Sequence, residues 1–290
     1  MKPLKKIKTL SRILYWEFVA LRWKFIPYRK TAVTNKRYSI GVVTYINRYE
    51  KVFKPFIQSI CKLFPDTEVI VAINGYYDAE KQDKYLAEIN EFLSQFANVT
   101  KFDYKTGQSL SKLWNQLIIH SSNDAILIFN DDVKIDTSFR RNIEECSVLD
   151  EKVALLNRSW SHFLITKKMV AKNGWFDERF PGVGNEDEDY ESRLVLNGIH
   201  VKTFSASGLK NIVFTTKDFS YGKNTETVNT KYVKANKQFF DSKWEWSEIE
   251  KTGFAFVPLV RGYVRMKEGM QTPDFYPEIN YNAAVNERER

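Results

Sequence analysis

Cysteine is nearly missing from this chain of 290 residues and histidine is scarce, with two of the first and three of the second. Cys61 and Cys146 each lie in helical-looking sequence with no second Cys or His at metal-ligand spacing. This argues against a disulfide framework or a zinc site and makes a reducing cytoplasm the simplest setting. His120 is expected at a helix end and His200 on a strand, while the surroundings of His162 stay open; none is expected to bind a metal. Long apolar runs are also missing. Near the amino terminus Glu17, Arg22 and Lys24 interrupt the apolar residues and no small-residue cleavage site follows, so neither a secretory signal nor a transmembrane span is expected. There is no internal repeat. No Gly-rich basic phosphate loop follows the first strand-like run, which ranks a nucleotidyltransferase low.

What is present is enough for one substantial core: 43% of the residues are hydrophobic and 15% aromatic. The net charge is +8, but it is unevenly placed. Residues 1–37 hold eleven Lys or Arg against the single acid Glu17, so the remainder of the chain carries −2. A nucleic-acid-binding protein would spread basic residues over its folded body, so no nucleic-acid partner is expected. Ile7, Leu10, Leu14, Phe18, Leu21 and Phe25 recur at spacings of three and four, which predicts a helix that gathers them on one side with Lys5, Lys8 and Arg12 largely opposite. Such a helix suits an anionic membrane surface, where each Lys or Arg near the lipid contributes about 1 kcal/mol. The plainer alternative is a helix docked on its own domain or on a partner chain. Trp16, Val19 and Trp23 fall on the far side of the stripe and blur it.

From residue 38 onward short apolar runs alternate with helical periods. Strands are expected at 38–44, 68–73, 99–104 and 125–129. Between them lie helices with inward faces Val52/Phe53/Phe56/Ile57/Ile60/Leu63/Phe64, Leu86/Ile89/Phe92/Leu93/Phe96 and Leu110/Leu113/Trp114/Leu117/Ile118, the second capped by Asp78. The alternation implies an α/β fold, a mainly parallel sheet covered by helices on both faces. Further elements are expected after a cap at Thr137, at 153–157, at 163–165, and in a helix that starts near Glu186 and stops at Gly198. Residues 231–246 read as helical, and 271–290 as poorly ordered. The organisation is a basic segment 1–37, an α/β domain 38–220 and an extension 221–290.

Open sheets of this kind bind ligands beyond the carboxyl ends of their strands, where Thr44, Asn74 and Asn130-Asp131-Asp132 all fall. Asp131 and Asp132 are hard oxygen ligands on a strand-end turn, suited to Mg²⁺ or Mn²⁺ bridging to phosphate oxygens; in the plainer reading they only satisfy turn amides. A second cluster, Glu186-Asp187-Glu188-Asp189, follows a loop containing Gly182 and Gly184. Acids at a helix start are favoured by the macrodipole, yet five carboxylates between 186 and 191 exceed what capping requires. Like charges ~5 Å apart repel by roughly 3 kcal/mol at an effective dielectric of ~20, so a cation or a proton should relieve them. One of these carboxylates could accept a proton from an attacking hydroxyl.

The run Gly174-Trp175-Phe176-Asp177-Glu178-Arg179-Phe180, Gly182, Glu186-Asp187-Glu188-Asp189 and Arg193 resembles the acceptor-side signature of the family-2 inverting glycosyltransferases. Upstream, Thr44, Tyr45, Asn47 and Arg48 are similar to that family's first strand and nucleotide loop, Gly107 and Asn115 to its next helix, and Asn130-Asp131-Asp132 to its metal motif. The likeness runs from about residue 38 to 216. It implies a GT-A, Rossmann-like sheet, a nucleotide-diphosphate sugar donor, a divalent Mn²⁺ or Mg²⁺ and a glycan or lipid-linked acceptor. It further implies that Asp132 binds the metal and Asp131 the nucleotide-sugar, that Thr44, Tyr45, Arg48, Asn74 and Asn115 line the donor site, that Asp187 is the catalytic base, and that Glu186 and Trp175 lie near the acceptor.

The chain departs from that pattern at Asn130 (usually Asp), Asn74 (commonly Asp) and Val43 (frequently Pro), and has no His between Ser205 and Gly222. A catalytically inert, membrane-associated nucleotide-sugar-binding protein is the non-enzyme alternative. With the basic segment, the expected location is peripheral, on the cytoplasmic face of a membrane.

Overall fold

The computed structural model describes residues 2–212, 232–246 and 264–272. Helix α1 (Lys2–Phe25) is followed by β1 (Ser39–Thr44), α2 (Lys54–Leu63), β2 (Val69–Ile73), α3 (Ala79–Leu93), β3 (Val99–Asp103), α4 (Leu110–His120) and β4 (Ala125–Asn130). Then come β5 (Val133–Ile135), α5 (Phe139–Glu145), β6 (Val153–Leu156), β7 (Ser159–Thr166), α6 (Lys167–Asn173), α7 (Glu186–Leu196), β8 (Lys202–Phe204) and β9 (Leu209–Asn211). The extension contributes α8 (Val233–Lys243), β10 (Trp244–Trp246) and β11 (Val264–Met266).

The central sheet has the order β3-β2-β1-β4-β7-β6-β8. Strands β3, β2, β1 and β4 are mutually parallel, β7 runs antiparallel to both β4 and β6, and β8 is parallel to β6. Side chains alternate across it as period-2 geometry demands. Ile40 and Val42 of β1, Val69, Val71 and Ile73 of β2, and Leu127 and Phe129 of β4 join α2, α3 and α5 in one buried layer. Their neighbours Val43, Ile70, Ala72, Ile126 and Ile128 join α4, α6 and α7 in the other. The expected α/β architecture with a mainly parallel sheet between helical layers is therefore what the chain forms.

Local signals hold at several ends. Asp78 caps α3 by accepting from Lys81 N at 3.1 Å, and Ser109 and Thr166 do the same for α4 and α6. Others moved. Ser138, not Thr137, is the residue before α5, and its hydroxyl bonds Asp136 instead of a helix amide. Val52 and Phe53 belong to a π-helical turn, Tyr49–Phe53, that leads into α2. His120 does end α4, whereas His200 precedes β8 instead of lying on a strand. The helix expected over 231–246 stops at Lys243 and turns into β10, which pairs with β11. Except for Gln271 and Thr272, the tail expected to be poorly ordered lies outside the described residues.

Helix α1 docks by the face opposite its predicted stripe. Trp16, Val19 and Trp23 are buried, and the Trp23 indole donates to Ile135 O at 2.7 Å. The stripe residues Leu14, Phe18, Leu21 and Phe25 remain exposed. The two indoles carry more apolar area than any stripe residue, so the domain takes the aromatic face.

Candidate active site

Strand order reverses between β1, which leads to β2 and β3 on one side, and β4 on the other. A crevice opens at such a switch point beyond the strand carboxyl ends, and Thr44 and Asp131 stand there. The Thr44 hydroxyl donates to Asp131 Oδ2 at 2.7 Å, and Arg48 Nη1 donates to Asp131 Oδ1 at 2.8 Å. The same Arg48 nitrogen lies 3.4 Å from Asp132 Oδ2, and its guanidinium sits 5.4 Å from the centre of the Tyr45 ring. The structure thus brings Thr44, Tyr45, Arg48, Asp131 and Asp132 together. Asp131 is 1% exposed. Burial, with Asp132 adding to it, pushes its carboxyl up to about 6 against the pull of Arg48 and Thr44.

Asp132 keeps an exposed edge, with 23% of its side chain accessible. Among the described residues no group of three or more His, Cys, Asp or Glu converges as a metal cage. The donor set fits a hard divalent cation held by a carboxylate together with phosphate oxygens, the habit of Mg²⁺ and Mn²⁺. Asp132 would hold it, with Asp131 already engaged.

Asn74 stands at the end of β2, its backbone N–H bonded to Thr44 O at 2.8 Å. Its side chain is buried. Oδ1 accepts from Gly75 N and Gln108 N, and Nδ2 donates to Gln108 O, which ties the β3–α4 loop down. Gly75 is required there, since a Cβ would lie 2.2 Å from the Thr106 backbone. Just after that loop, Leu110 N at the start of α4 donates to Gly182 O at 2.8 Å and carries the loop before α7 to the same edge of the sheet.

Asn115 and Trp175 are both held inside the fold. Asn115 is fully buried; Nδ2 donates to Phe176 O and Glu178 Oε1, and Oδ1 accepts from Phe176 N. It positions the 174–178 loop. Trp175 is buried in the sheet-side core, and its carbonyl accepts from Arg193.

The loop turns into α7 through Gly184 and the left-handed Asn185, at φ of 124° and 66°. This presents four acids on the first helical turn. Gly184 N and Glu186 are hydrogen-bonded, and Asp187 Oδ1 accepts from Glu188 N at 3.0 Å. Burial, reinforced by neighbouring Asp187, pushes Glu186 up to about 8. Burial also raises Asp187 and Glu188 above the usual carboxylate range. One proton held on Glu186 at neutral pH leaves its neighbour to ionise.

The other half of the expected relief is a cation that sequence reasoning missed. Lys243, fully buried at the end of α8, places Nζ 2.6 Å from Asp189 Oδ1 and 2.8 Å from Asp177 Oδ2. Arg193 bonds Asp189 at 3.1 Å and Arg179 bonds Asp177 at 2.8 Å. The Trp244 indole donates to Asp189, and Asn236 of α8 donates to Pro181 O. Burial pushes Asp177 up, but Arg179 and Lys243 more than offset it and hold the carboxyl below its usual range. The only signal for Lys243 was the crowding of acids itself.

His162 is buried in β7 opposite Phe129, and neither ring nitrogen has a hydrogen-bond partner. Burial lowers it to about 4, so the ring is neutral.

No protein-family model matches the sequence, and no curated protein matches it. Solved structures do. S. aureus TarS 1–349 is 16% identical with a TM-score of 0.46, over 59% of each chain. The mannosyltransferase PcManGT from Pyrobaculum calidifontis, in complex with GDP-Man and Mn²⁺, is 14% identical with a TM-score of 0.45, over 73% of this chain and 67% of that one. GalNAc-T7 with UDP, GalNAc and Mn²⁺ is 10% identical with a TM-score of 0.54, over 71% of this chain and 48% of that one. This chain thus spans about half to two thirds of these three neighbours. At such identities the likeness is one of fold, and the GalNAc-T7 superposition carries it: the chain has the GT-A fold.

Proposed function

We propose that the protein is a metal-dependent inverting glycosyltransferase that moves a sugar from a nucleotide-diphosphate donor to a hydroxyl of a glycan or lipid-linked acceptor. One observation carries the reading. Thr44, Arg48, Asp131 and Asp132 assemble at the switch point of the sheet, and the Leu110–Gly182 bond brings the acid-rich start of α7 to the same edge. GalNAc-T7 holds UDP, GalNAc and Mn²⁺ in its structure, the same classes of group proposed here.

Asp131, Thr44, Arg48 and Tyr45 would receive the nucleotide end of the donor, and Asp132 the Mn²⁺ or Mg²⁺ at its diphosphate. The cation would neutralise charge on the departing phosphate oxygens. Asp187 would take the proton of the acceptor hydroxyl as that oxygen bonds to the anomeric carbon. The bond from that carbon to the diphosphate breaks, and the nucleoside diphosphate leaves with its electron pair. Glu186, protonated beside Asp187, would donate a hydrogen bond to the acceptor.

The test is calorimetric binding of uridine, guanosine and thymidine diphosphate sugars with and without Mn²⁺, followed by assay of released nucleoside diphosphate. The anomeric configuration of the product is read by NMR. Metal-dependent binding and release with inversion are expected. Binding without release supports the inert binding protein, pyrophosphate chemistry supports a nucleotidyltransferase, and a retained anomer removes Asp187 as a base in single displacement.

A further inference from the structure

Among the described residues eight large hydrophobic side chains are exposed, and five of them lie on α1: Leu14, Tyr15, Phe18, Leu21 and Phe25. Phe18 and Phe25 are 63% and 78% accessible. At about 100° per residue, Leu14, Phe18, Leu21 and Phe25 fall within about 60° of one another, while Trp16, Val19 and Trp23 cluster on the opposite side. The helix therefore has two apolar faces, one taken by the domain and one left to solvent.

The charge beside the open face has one prevailing sign. Arg22 and Lys24 flank the ridge on either side and are exposed, as are Arg29, Lys30, Lys36 and Arg37 in the segment that follows. The acid on that flank, Glu17, is paired with Lys134 at 2.8 Å. A contiguous apolar ridge with basic flanks matches an anionic lipid interface, where the rings enter the headgroup–acyl boundary and the cations meet the lipid phosphates and carboxylates. No described helix is long and apolar enough to cross a membrane.

We propose that the Leu14–Phe18–Leu21–Phe25 ridge of α1 is a membrane-docking face for anionic lipid, and that its opposite face fixes the catalytic domain to that surface. The attachment is specific. Trp23 bonds Ile135 O, Tyr15 Oη donates to Asp136 Oδ2 at 2.7 Å, and Lys62 Nζ donates to Trp23 O at 2.6 Å. Ile135 and Asp136 follow Asp132 by three and four residues, so the bilayer is held in register with the edge of the sheet that carries the aspartate pair. Binding of lipid needs neither donor nor acceptor, so its test is independent of the transfer reaction.

The full chain is sedimented with phosphatidylcholine vesicles with and without phosphatidylserine, and compared with the Phe18→Asp/Phe25→Asp and Lys24→Glu/Lys30→Glu variants. These positions are exposed, and circular dichroism confirms that each variant folds. Wild type should partition onto the phosphatidylserine vesicles at least about tenfold more than onto phosphatidylcholine alone, each variant should lose about tenfold or more, and melting temperatures should stay unchanged. Equal partitioning by wild type and the ridge variant overturns the proposal. So does a ridge-dependent dimer in sedimentation velocity without vesicle binding, which would make a second copy the occupant.

Discussion

Replacing Lys243 by Met removes the cation shared by buried Asp177 and Asp189, and the structure sets the size of the effect. Breaking a buried ion pair by deleting one partner costs about 3–5 kcal/mol, because the other charge is left unpaired. Here Arg179 and Arg193 remain on Asp177 and Asp189. The cluster changes from three cations and two anions to two of each, so the lower end, about 3 kcal/mol, is expected. For a domain of this size that is a fall of about 6–12 °C in melting temperature. The pH dependence has a definite sign. Asp177 is held below its ordinary value, so its contribution is fully present above the unfolded carboxylate pKa and fades as pH falls through the folded one. Lys243 is part of the cause, so the gap between wild type and variant should be widest at neutral pH and narrow below about pH 4. Thermal melts of the full chain from pH 3 to 7 measure this. Adding Asp189→Asn to the Met variant should cost less than the two single effects combined, since both single changes remove the same Lys243–Asp189 contact. A melting shift under about 2 °C at neutral pH, or a gap that grows on acidification, would refute the assignment of Lys243 as the buried counter-ion.

Asp187→Asn should lower transfer by at least about 10²-fold while donor affinity in calorimetry stays within about threefold, because the residue proposed as general base is lost and the proposed donor contacts are not. Glu186→Gln should fold as well as wild type near neutrality. Glu186 binds its proton more tightly folded than unfolded, so wild type should lose stability as pH rises from about 4.5 to about 8, and the Gln variant should show a smaller decline in urea titrations, the remainder coming from Asp187 and Glu188. Gly75→Ala should destabilise by about 1–3 kcal/mol, because its Cβ would overlap the Thr106 backbone and the β3–α4 loop must move; chemical denaturation reads this directly.

Strands β1, β2 and β4 were legible because burial on both faces leaves near-continuous apolar runs, as at 69–73 and 125–129, between segments of helical period, whereas edge strand β3 buries only Phe102. The two acid clusters were legible as well, since strand-end and helix-start carboxylates occupy places that the sheet itself defines. What each side chain does once there was less so. Asn74 and Asn115 have the right type and position for a donor site, yet their amides close loops around Gln108 and Phe176, partners that only the folded chain supplies.

By itself the sequence determined the alternation of elements, the cap at Asp78, the crowding of acids at α7 and the concentration of positive charge in residues 1–37. These follow from local periodicity and from counting charges. The tertiary structure decided which of α1's two apolar faces meets the domain and which cation neutralises Asp177 and Asp189. It chose Trp16, Val19 and Trp23 over the regular stripe, and Lys243 from 66 residues beyond Asp177. The reason is the same in both cases: a periodic pattern or a charge excess states that a partner is needed, and only packing in three dimensions selects it.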